Sequence, residues 1–326
     1  MSMLRQPPEW APHEFVWIGF PSHAELWEDD LGPAREEVAA FAGAVHAGGK
    51  GEEVRLVGAN PESAEAARRL APFATIVEQA FGDIWLRDTG PLILAADGGR
   101  VARSFRFNGW GGKYELEGDD SLAPRLAETI GLASEARDWI LEGGAIDVDG
   151  TGLAVTTEQC LLNPNRNPGM DRPEVAARLR EDLGIERLLW LGDGLRGDHT
   201  DGHVDNLARF VAEGKLAIPV PESLQDPNVE IWNDARYRAE SFGLEVAPVP
   251  SPGRIDKDGK IVAASYMNFY VGNAAVVVPV YGAANDEAAV ELIGALFPGR
   301  PAVGLRAAPV LTGGGSFHCI SQQVPK

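Results

Sequence analysis

Cys319 stands near the end of the 326-residue sequence, four residues after the glycine stretch 313–315. Glycine lets a backbone come close to a bound molecule, so this stretch, with Gly314 at its centre, can bring the cysteine to a ligand. A cysteine thiolate is a good nucleophile, and a covalent intermediate divides a difficult hydrolysis into two easier steps. On an extended chain the adjacent His318 faces away, so we expect it to pack or to form hydrogen bonds rather than act as the base. Cys160 lies among apolar residues and is predicted to be a small buried hydrophobe.

A histidine and a carboxylate two residues apart form a second candidate, within the stretch 197–206. If a strand begins at His203, its side chain and that of Asp205 point to the same face, because side chains along a strand repeat every second residue. A base and a carboxylate then lie side by side, which suits general acid–base catalysis. His199 and His203 have the spacing of a metal-binding helix, but Gly202 and the β-type run that follows disfavour a helix there.

Two more carboxylates stand next to turns. Asp88 precedes a Gly-Pro pair and follows Trp85 by three residues, and a carboxylate beside an aromatic ring suits a guanidinium. The alternative is that Asp88 pairs with Arg87 or caps the turn. Glu142 ends an apolar run and precedes two glycines, which would let it lie partly buried against another segment. The alternative for this residue is a solvated loop position.

The charge and cysteine content narrow the class of protein. The 48 acidic residues outnumber the 29 basic ones and give a net charge of −19, which disfavours nucleic acid and anionic lipid and favours a cationic ligand. Two distant cysteines make no disulfide framework and fit a reducing compartment. Met1–Pro12 has three prolines and no apolar segment of the signal-peptide kind, and the apolar stretch 274–280 is too short to span a bilayer. We expect a cytoplasmic protein.

Short β-type runs alternate with helical periodicity along the chain, which indicates an α/β architecture. The predicted helices are Pro33–Ala47, Pro61–Leu70, Ser121–Gly131, Pro173–Leu183, Asn228–Phe242 and Asn285–Leu296. The predicted strands are Phe15–Phe20, Val54–Val57, Thr75–Val77, Leu92–Leu94, Phe105–Phe107, Leu153–Thr157, Leu188–Leu191, His203–Val211, Leu216–Val220, Phe269–Val278 and Ala302–Leu305. A recurring unit of roughly 60 residues suggests a toroidal repeat.

The chemistry-bearing segments together resemble the agmatine deiminase family of guanidino-modifying enzymes, and the resemblance covers nearly the whole chain. The segments that carry it are Pro8–Pro12, Trp85–Pro91, Phe107–Gly112, Glu142–Gly144, Leu161–Asn167, Gly202–Asn206, Ser265–Phe269 and Gly313–Cys319, with Gln322 and Gln323. The resemblance implies a single domain over residues 1–326 with the pentein fold, a five-bladed, pseudo-fivefold β/α propeller. It also implies a hydrolase that acts on agmatine and serves putrescine and polyamine metabolism.

The same resemblance assigns roles to five residues. Cys319 becomes the nucleophile and His203 the general acid and base. Asp88 and Asp205 hold the guanidinium, and Glu142 supports the histidine. The expected reaction converts agmatine to N-carbamoylputrescine and ammonia through a thiouronium intermediate on the cysteine. This scheme has no role for a metal or a cofactor.

By the same analogy, Trp85 and Trp110 line the substrate pocket. One stretch departs from the family pattern, which typically reads Gly-Asp-Glu-Thr-Asn-Gly-His. This chain has His199 in place of the glutamate and Asp201 in place of the asparagine. Both lie where the family binds the free amine of the substrate, so they are candidate substrate-binding residues, and Asp201 is expected to restore the negative charge.

Other functions stay open at this point. Another guanidino compound, such as arginine or peptidyl-arginine, is the first alternative substrate. A metal-dependent hydrolase would use His199, His203, Asp198 or Asp205, and Cys319 as mixed ligands, although no complete ligand motif is present. A non-catalytic guanidino-binding protein would need the carboxylates and aromatic rings without the nucleophile. The expected partner is a small cationic guanidino substrate, and a homo-oligomer is compatible with the sequence.

Overall fold

The computed structural model describes residues 4–221 and 223–326; Met1–Met3, which belong to the N-terminal segment considered above, and Glu222 lie outside that description. The strands are β1 His13–Gly19, β2 Glu53–Gly58, β3 Thr75–Glu78, β4 Leu92–Ala96, β5 Gly99–Arg106, β6 Ser134–Ile140, β7 Ile146–Val148, β8 Leu153–Thr157, β9 Arg187–Leu191, β10 Arg209–Ala212, β11 Lys215–Val220, β12 Glu245–Pro250, β13 Asp256–Lys257, β14 Lys260–Ile261, β15 Tyr270–Val271, β16 Val276–Val280, β17 Ala302–Arg306 and β18 Ser321–Pro325. The α-helices are α1 Ala24–Trp27, α2 Leu31–His46, α3 Pro61–Leu70, α4 Leu86–Thr89, α5 Gly109–Gly112, α6 Leu122–Glu128, α7 Glu158–Leu161, α8 Arg172–Leu183, α9 Val229–Phe242, α10 Asp286–Leu296 and α11 Ala308–Thr312.

Five sheets repeat one pairing pattern, which confirms the predicted mixed α/β class. Their strand orders are β18-β1-β2-β3, β4-β5-β6, β7-β8-β9, β10-β11-β12 and β15-β16-β17. In each sheet an antiparallel pair is followed by a parallel pair. A helix lies in each of the six parallel crossovers, the usual connection between parallel strands; these crossover helices are α2, α3, α6, α8, α9 and α10. The last strand of the chain, β18, pairs antiparallel with the first strand, β1.

All six predicted helices are confirmed, with ends that differ by a few residues. Helix α3 matches its prediction from Pro61 to Leu70 because Asn60 forms a capping box with Ser63. Helix α8 has the same arrangement at Asp171 and ends at Gly184, which has left-handed backbone angles.

The predicted strand His203–Val211 is wrong over its first half. Residues Val204–Asn206 form a 3-10 turn, and the strand begins only at Arg209. The backbone turns because the Val204 carbonyl accepts hydrogen bonds from both Leu207 and Ala208. His203 and Asp205 are therefore not alternate residues of a strand.

Other differences have simple causes. The predicted strand Phe269–Val278 is split into β15 and β16 by a turn at residues 272–275. Strands β6 and β18 were not predicted because their sequences carry charged or amide side chains, yet β18 is buried throughout. None of the described helices is long and apolar enough to cross a membrane.

Candidate active site

One cavity of about 200 Å³ contains several of the residues singled out from the sequence. Its lining residues are Leu26, Asp83, Trp85, Asp88, Trp110, Tyr114, Leu116, His199, Thr200, Thr312, Gly313, Gly314, Gly315 and Cys319. Glu142, His203 and Asp205 are fully buried, close behind this surface. The cavity lining therefore includes one thiol, two aspartates and two indole rings.

The Cys319 thiol lies 3.5 Å from Asp205 Oδ2, and the side-chain amide of Asn268 donates a hydrogen bond to the sulfur at 3.0 Å. Burial, and after it the negative charges of Asp205 and Asp88, raises the pKa of Cys319 well above its ordinary value. Without a bound cation, the sulfur is held as a thiol.

Asn268 is a site residue that the motif reading did not single out. Its Oδ1 accepts hydrogen bonds from the backbone amides of His318 and Cys319, at 3.0 and 3.2 Å. Its Nδ2 donates to Asn206 as well as to the Cys319 sulfur. One buried amide thus fixes both the backbone and the side chain of the cysteine. In the sequence, the one indication of this role was that Asn268 lies inside Ser265–Phe269, one of the segments that resemble the family.

Asp88 is held by two donors at the base of the cavity. Trp110 Nε1 donates to Oδ2 at 2.9 Å, and the Gly144 amide donates to Oδ1 at 2.9 Å. The alternative pairing with Arg87 is wrong, because the guanidinium of Arg87 pairs with Glu9 instead. Burial raises the pKa of Asp88, with the His203 charge opposing this effect and the Asp205 charge adding to it.

Gly144 explains how three polar side chains converge. A Cβ atom at this position would lie 2.6 Å from His203 Nδ1, 2.9 Å from Asp88 Oδ1 and 3.1 Å from Asp205 Oδ2. Any side chain would separate these groups, so the glycine permits their approach. The His203 Nδ1 and Asp88 Oδ1 atoms are 3.7 Å apart. The imidazole of His203 therefore lies close to the carboxylates of Asp88 and Asp205. This proximity does not depend on the strand predicted for residues 203–205, which is wrong.

Asp205 is oriented from behind by His318. His318 Nδ1 lies 2.8 Å from Asp205 Oδ2, and its Nε2 lies 2.9 Å from Glu9 Oε2. Although burial alone would raise it, the hydrogen bond and charge of His318 lower the pKa of Asp205 below its ordinary value. Asp205 Oδ1 has no hydrogen-bond partner among the described residues.

Glu142 is fully buried, so the solvated alternative is wrong. Its Oε1 accepts a hydrogen bond from Arg166 Nε at 2.6 Å, while its Oε2 has no hydrogen-bond partner within the described part of the chain. Burial alone would lower the pKa of His203, but the charge of Asp88, followed by the contacts with Cys160 and Glu142, raises it well above its ordinary value. The surroundings of the imidazole therefore favour its protonated form, which can deliver a proton.

The sequence interpretation of Cys160 as a plain core residue needs correction. The side chain is buried, as predicted, but it lies beside Glu142 and His203 rather than only among apolar groups. One potential ligand atom from each of these three residues lies within 4.8 Å of the other two. The ligand set predicted for a metal hydrolase included His199 and Cys319. Neither residue belongs to this group of three in the described structure.

Trp85 forms one wall of the cavity. A Cβ atom at Gly315 would lie 2.6 Å from Trp85 Cζ3 and 3.1 Å from Cys319 Sγ, so only glycine lets the loop pass between ring and thiol. At its other end, Trp85 Nε1 donates to Asp83 Oδ2 at 2.7 Å. Burial raises the pKa of Asp83 to about 6. The indole thus extends from the nucleophile to a second carboxylate of the cavity, which the sequence interpretation did not include.

The two departures from the family pattern have different surroundings. His199 lines the cavity, and its Nδ1 lies 3.0 Å from the Tyr114 hydroxyl. Asp201 is instead engaged by Lys113 at 2.6 Å and by Arg166 at 2.6 Å. These cations neutralise it, so the expectation that Asp201 supplies a negative charge for the substrate amine is wrong.

The comparisons with known proteins agree over the full length of the chain. Residues 5–325 match the family described as Porphyromonas-type peptidyl-arginine deiminase. An agmatine deiminase of Stutzerimonas stutzeri (strain A1501) is 36% identical over 355 residues, covering 98% of this chain and 95% of the relative. The solved agmatine deiminase of Enterococcus faecalis superposes with a TM-score of 0.93 at 33% identity, covering 99% of this chain and 96% of the other. A cysteine-to-serine variant of the C. jejuni enzyme, solved with substrate bound, gives 0.92 at 27% identity, covering 100% and 97%.

Proposed function

Because the chain belongs to the Porphyromonas-type peptidyl-arginine deiminase family, we propose that it hydrolyses agmatine to N-carbamoylputrescine and ammonia. The observation that carries this proposal is the convergence of Cys319, His203, Asp88 and Asp205 on one aromatic cavity. We also propose that residues 1–326 form one domain in which the five similar sheets are the blades of a pseudo-fivefold propeller. The pairing of β18 with β1 and the repeated pairing pattern support that arrangement.

Binding begins with the guanidinium between the two carboxylates. Asp205 offers its unpartnered Oδ1, and Asp88 offers its remaining lone pairs, so the two hold different nitrogens of the substrate by charge-assisted hydrogen bonds. Trp85 and Trp110 enclose the planar cation. The central carbon then faces the Cys319 sulfur in a fixed geometry, which removes much of the entropic cost of the reaction.

The bound cation also activates the nucleophile. The carboxylates that raise the pKa of Cys319 are those that the guanidinium neutralises, so substrate binding lowers the pKa of the thiol and favours the thiolate. An empty site keeps a protonated and unreactive sulfur. The reactive form therefore arises where the substrate is already aligned.

The reaction then proceeds in two balanced halves. On substrate binding the Cys319 thiol gives its proton to solvent, and the thiolate attacks the guanidinium carbon. The C–N bond breaks as His203 gives its proton to the departing ammonia. The product of this half is an S-alkylthiouronium adduct. His203, now neutral, takes a proton from water as the water oxygen attacks the same carbon. The C–S bond breaks, the second proton of that water ends on the Cys319 sulfur, and N-carbamoylputrescine is released. Glu142 and Asp88 favour the protonated ring at the start of each cycle.

The amine of the substrate tail is recognised by Asp83. This carboxylate lies at the far end of the Trp85 ring from Cys319, which matches a four-carbon chain laid along the indole. We expect kcat/KM for agmatine to exceed that for arginine by roughly a hundredfold or more, because none of the described residues that line the cavity is a lysine or an arginine that could pair with an α-carboxylate. Since the pKa of Asp83 is about 6, KM for agmatine is expected to rise as the pH falls through 6.

Variants separate the tail from the reaction centre. Asp83→Asn can still accept the Trp85 hydrogen bond, so it is expected to weaken the use of agmatine but not of butylguanidine, which has no amine. His199→Glu is expected to raise kcat/KM for agmatine by adding a negative charge to the lining. The measurement is ureido product formed from agmatine, arginine and butylguanidine. Equal or better use of arginine by the unaltered protein would contradict the agmatine assignment.

Exhaustive chelation is expected to leave kcat for agmatine unchanged. In the proposed scheme carboxylates and the cationic substrate provide the electrostatic stabilisation that a Lewis acid provides in metal hydrolases. The measurement is ammonia release before and after dialysis against a chelator, with elemental analysis of the same samples. Loss of activity that zinc or manganese restores would support the metal-dependent alternative instead.

A further inference from the structure

The Glu142, Cys160 and His203 side chains form a buried cluster that the proposed reaction only partly uses. Cys160 and Glu142 have no exposed surface, and His203 has 1%. Among the described residues, this is the group of three potential ligand side chains that lie within 4.8 Å of one another. The reaction assigns a proton transfer to His203 and an orienting charge to Glu142, but gives the thiol no task.

The hydroxyl of Thr157 links the turn that contains Cys160 to the segment that contains His203. Thr157 Oγ1 accepts a hydrogen bond from the Cys160 amide at 3.2 Å, and the same hydroxyl donates to the Gly202 carbonyl at 2.6 Å. The residue that caps the turn of Cys160 therefore also binds the residue before His203. Further along the same segment, Arg166 pairs with Glu142 Oε1. The segment from Thr157 to Arg166 thus contacts both members of the histidine–glutamate pair.

Several polar atoms of the cluster lack conventional partners. Glu142 Oε2 and both ring nitrogens of His203 have no hydrogen-bond partner within the described structure. A buried polar atom without a partner is unfavourable. A thiol is both a weak donor and a weak acceptor, and Cys160 is close to both residues.

We propose that Cys160 is a positioning residue for His203: its S–H group points to Glu142 Oε2, and its sulfur accepts a hydrogen bond from the imidazolium. This inference rests on the proposed function, because it concerns the proton carrier of that reaction. The imidazole must keep one orientation while it gives a proton to ammonia and takes one from water. Burial raises the pKa of Cys160, so the group stays a neutral thiol and does not compete with Cys319.

Matched variants distinguish positioning from packing. Cys160→Val is similar in size but removes the donor and acceptor, whereas Cys160→Ser keeps both. We expect the valine variant to lose about tenfold in kcat with KM changed by less than about twofold, since the loss falls on the chemical step rather than on binding. Its alkaline limb of kcat is expected to move to lower pH, because a contact that favours imidazolium is gone. The serine variant is expected to stay within about threefold of the unaltered enzyme.

A second readout does not depend on turnover. The imidazole of His203 can be titrated by NMR in histidine-labelled protein, and its pKa is expected to fall in Cys160→Val but not in Cys160→Ser. An unchanged His203 titration and an unchanged pH profile in the valine variant would overturn the proposal. Equal losses of kcat in both variants, in proportion to their losses of thermal stability, would also overturn it. If the unaltered protein does not hydrolyse agmatine, the proposed function fails, while the titration still tests the contact.

Discussion

Cys319→Ser is expected to lower kcat for agmatine by roughly a thousandfold or more, because the two-step route needs a sulfur nucleophile and a serine hydroxyl is not ionised near neutral pH. The bound guanidinium lowers the pKa of a thiol into a useful range, but it cannot do so for an alcohol whose pKa is far higher. The Asp205 and Asp88 carboxylates remain in place, so agmatine is still expected to bind. Ammonia release and calorimetric binding of agmatine measure the two effects separately.

Cys160→Ser is the matched control for this variant. It changes the other cysteine in the same way, and its kcat is expected to stay within about threefold of that of the unaltered enzyme. Alkylation of the unaltered protein with a haloacetamidine, whose amidinium imitates the substrate, is expected to label Cys319 and to be blocked by agmatine. If Cys319→Ser keeps more than a few per cent of the turnover, or if the reagent labels Cys160, another group is the nucleophile.

The sequence predicted the participants of the site better than their arrangement. Cys319 could be predicted because it follows the three glycines 313–315 by four residues, and Asp88 because it precedes a Gly-Pro turn. Trp85 could be predicted because it stands three residues before Asp88. All three line the cavity. The strand interpretation of residues 203–205 failed because a hydrophobic pattern does not record the hydrogen bonds to the Val204 carbonyl that turn the backbone.

The residues that were missed are those whose role depends on distant parts of the chain. His318 was expected to pack or to form hydrogen bonds, and it does form them, but its partners Asp205 and Glu9 are far away in sequence and could not be predicted. Asn268 has a role in the site only through its hydrogen bonds with Cys319, which is far away in sequence. Cys160 has apolar neighbours in sequence but polar ones in space. Local sequence patterns therefore predict the residues that act on a substrate more readily than the residues that position those side chains.

His203→Asn is expected to lower kcat by roughly a thousandfold, with a smaller change in KM, because asparagine can form hydrogen bonds in the same space but cannot give or take the proton. In the unaltered enzyme the pKa of His203 lies well above its ordinary value, despite the opposing effect of burial, since Asp88 and Glu142 favour the charged ring. The protonated form is therefore present at neutral pH, and kcat is expected to fall only as the pH rises through that raised pKa. The variant is expected to lose this alkaline limb together with its activity.

Glu142→Gln provides the companion measurement for the histidine. The glutamine keeps an oxygen that can accept the Arg166 hydrogen bond but removes the charge that favours the imidazolium. We expect its alkaline limb to move to lower pH while a measurable fraction of kcat remains. The pH dependence of kcat for agmatine in the unaltered protein and in both variants tests this assignment. If His203→Asn retains the alkaline limb, or if Glu142→Gln leaves that limb where it was, the proton comes from a group other than His203.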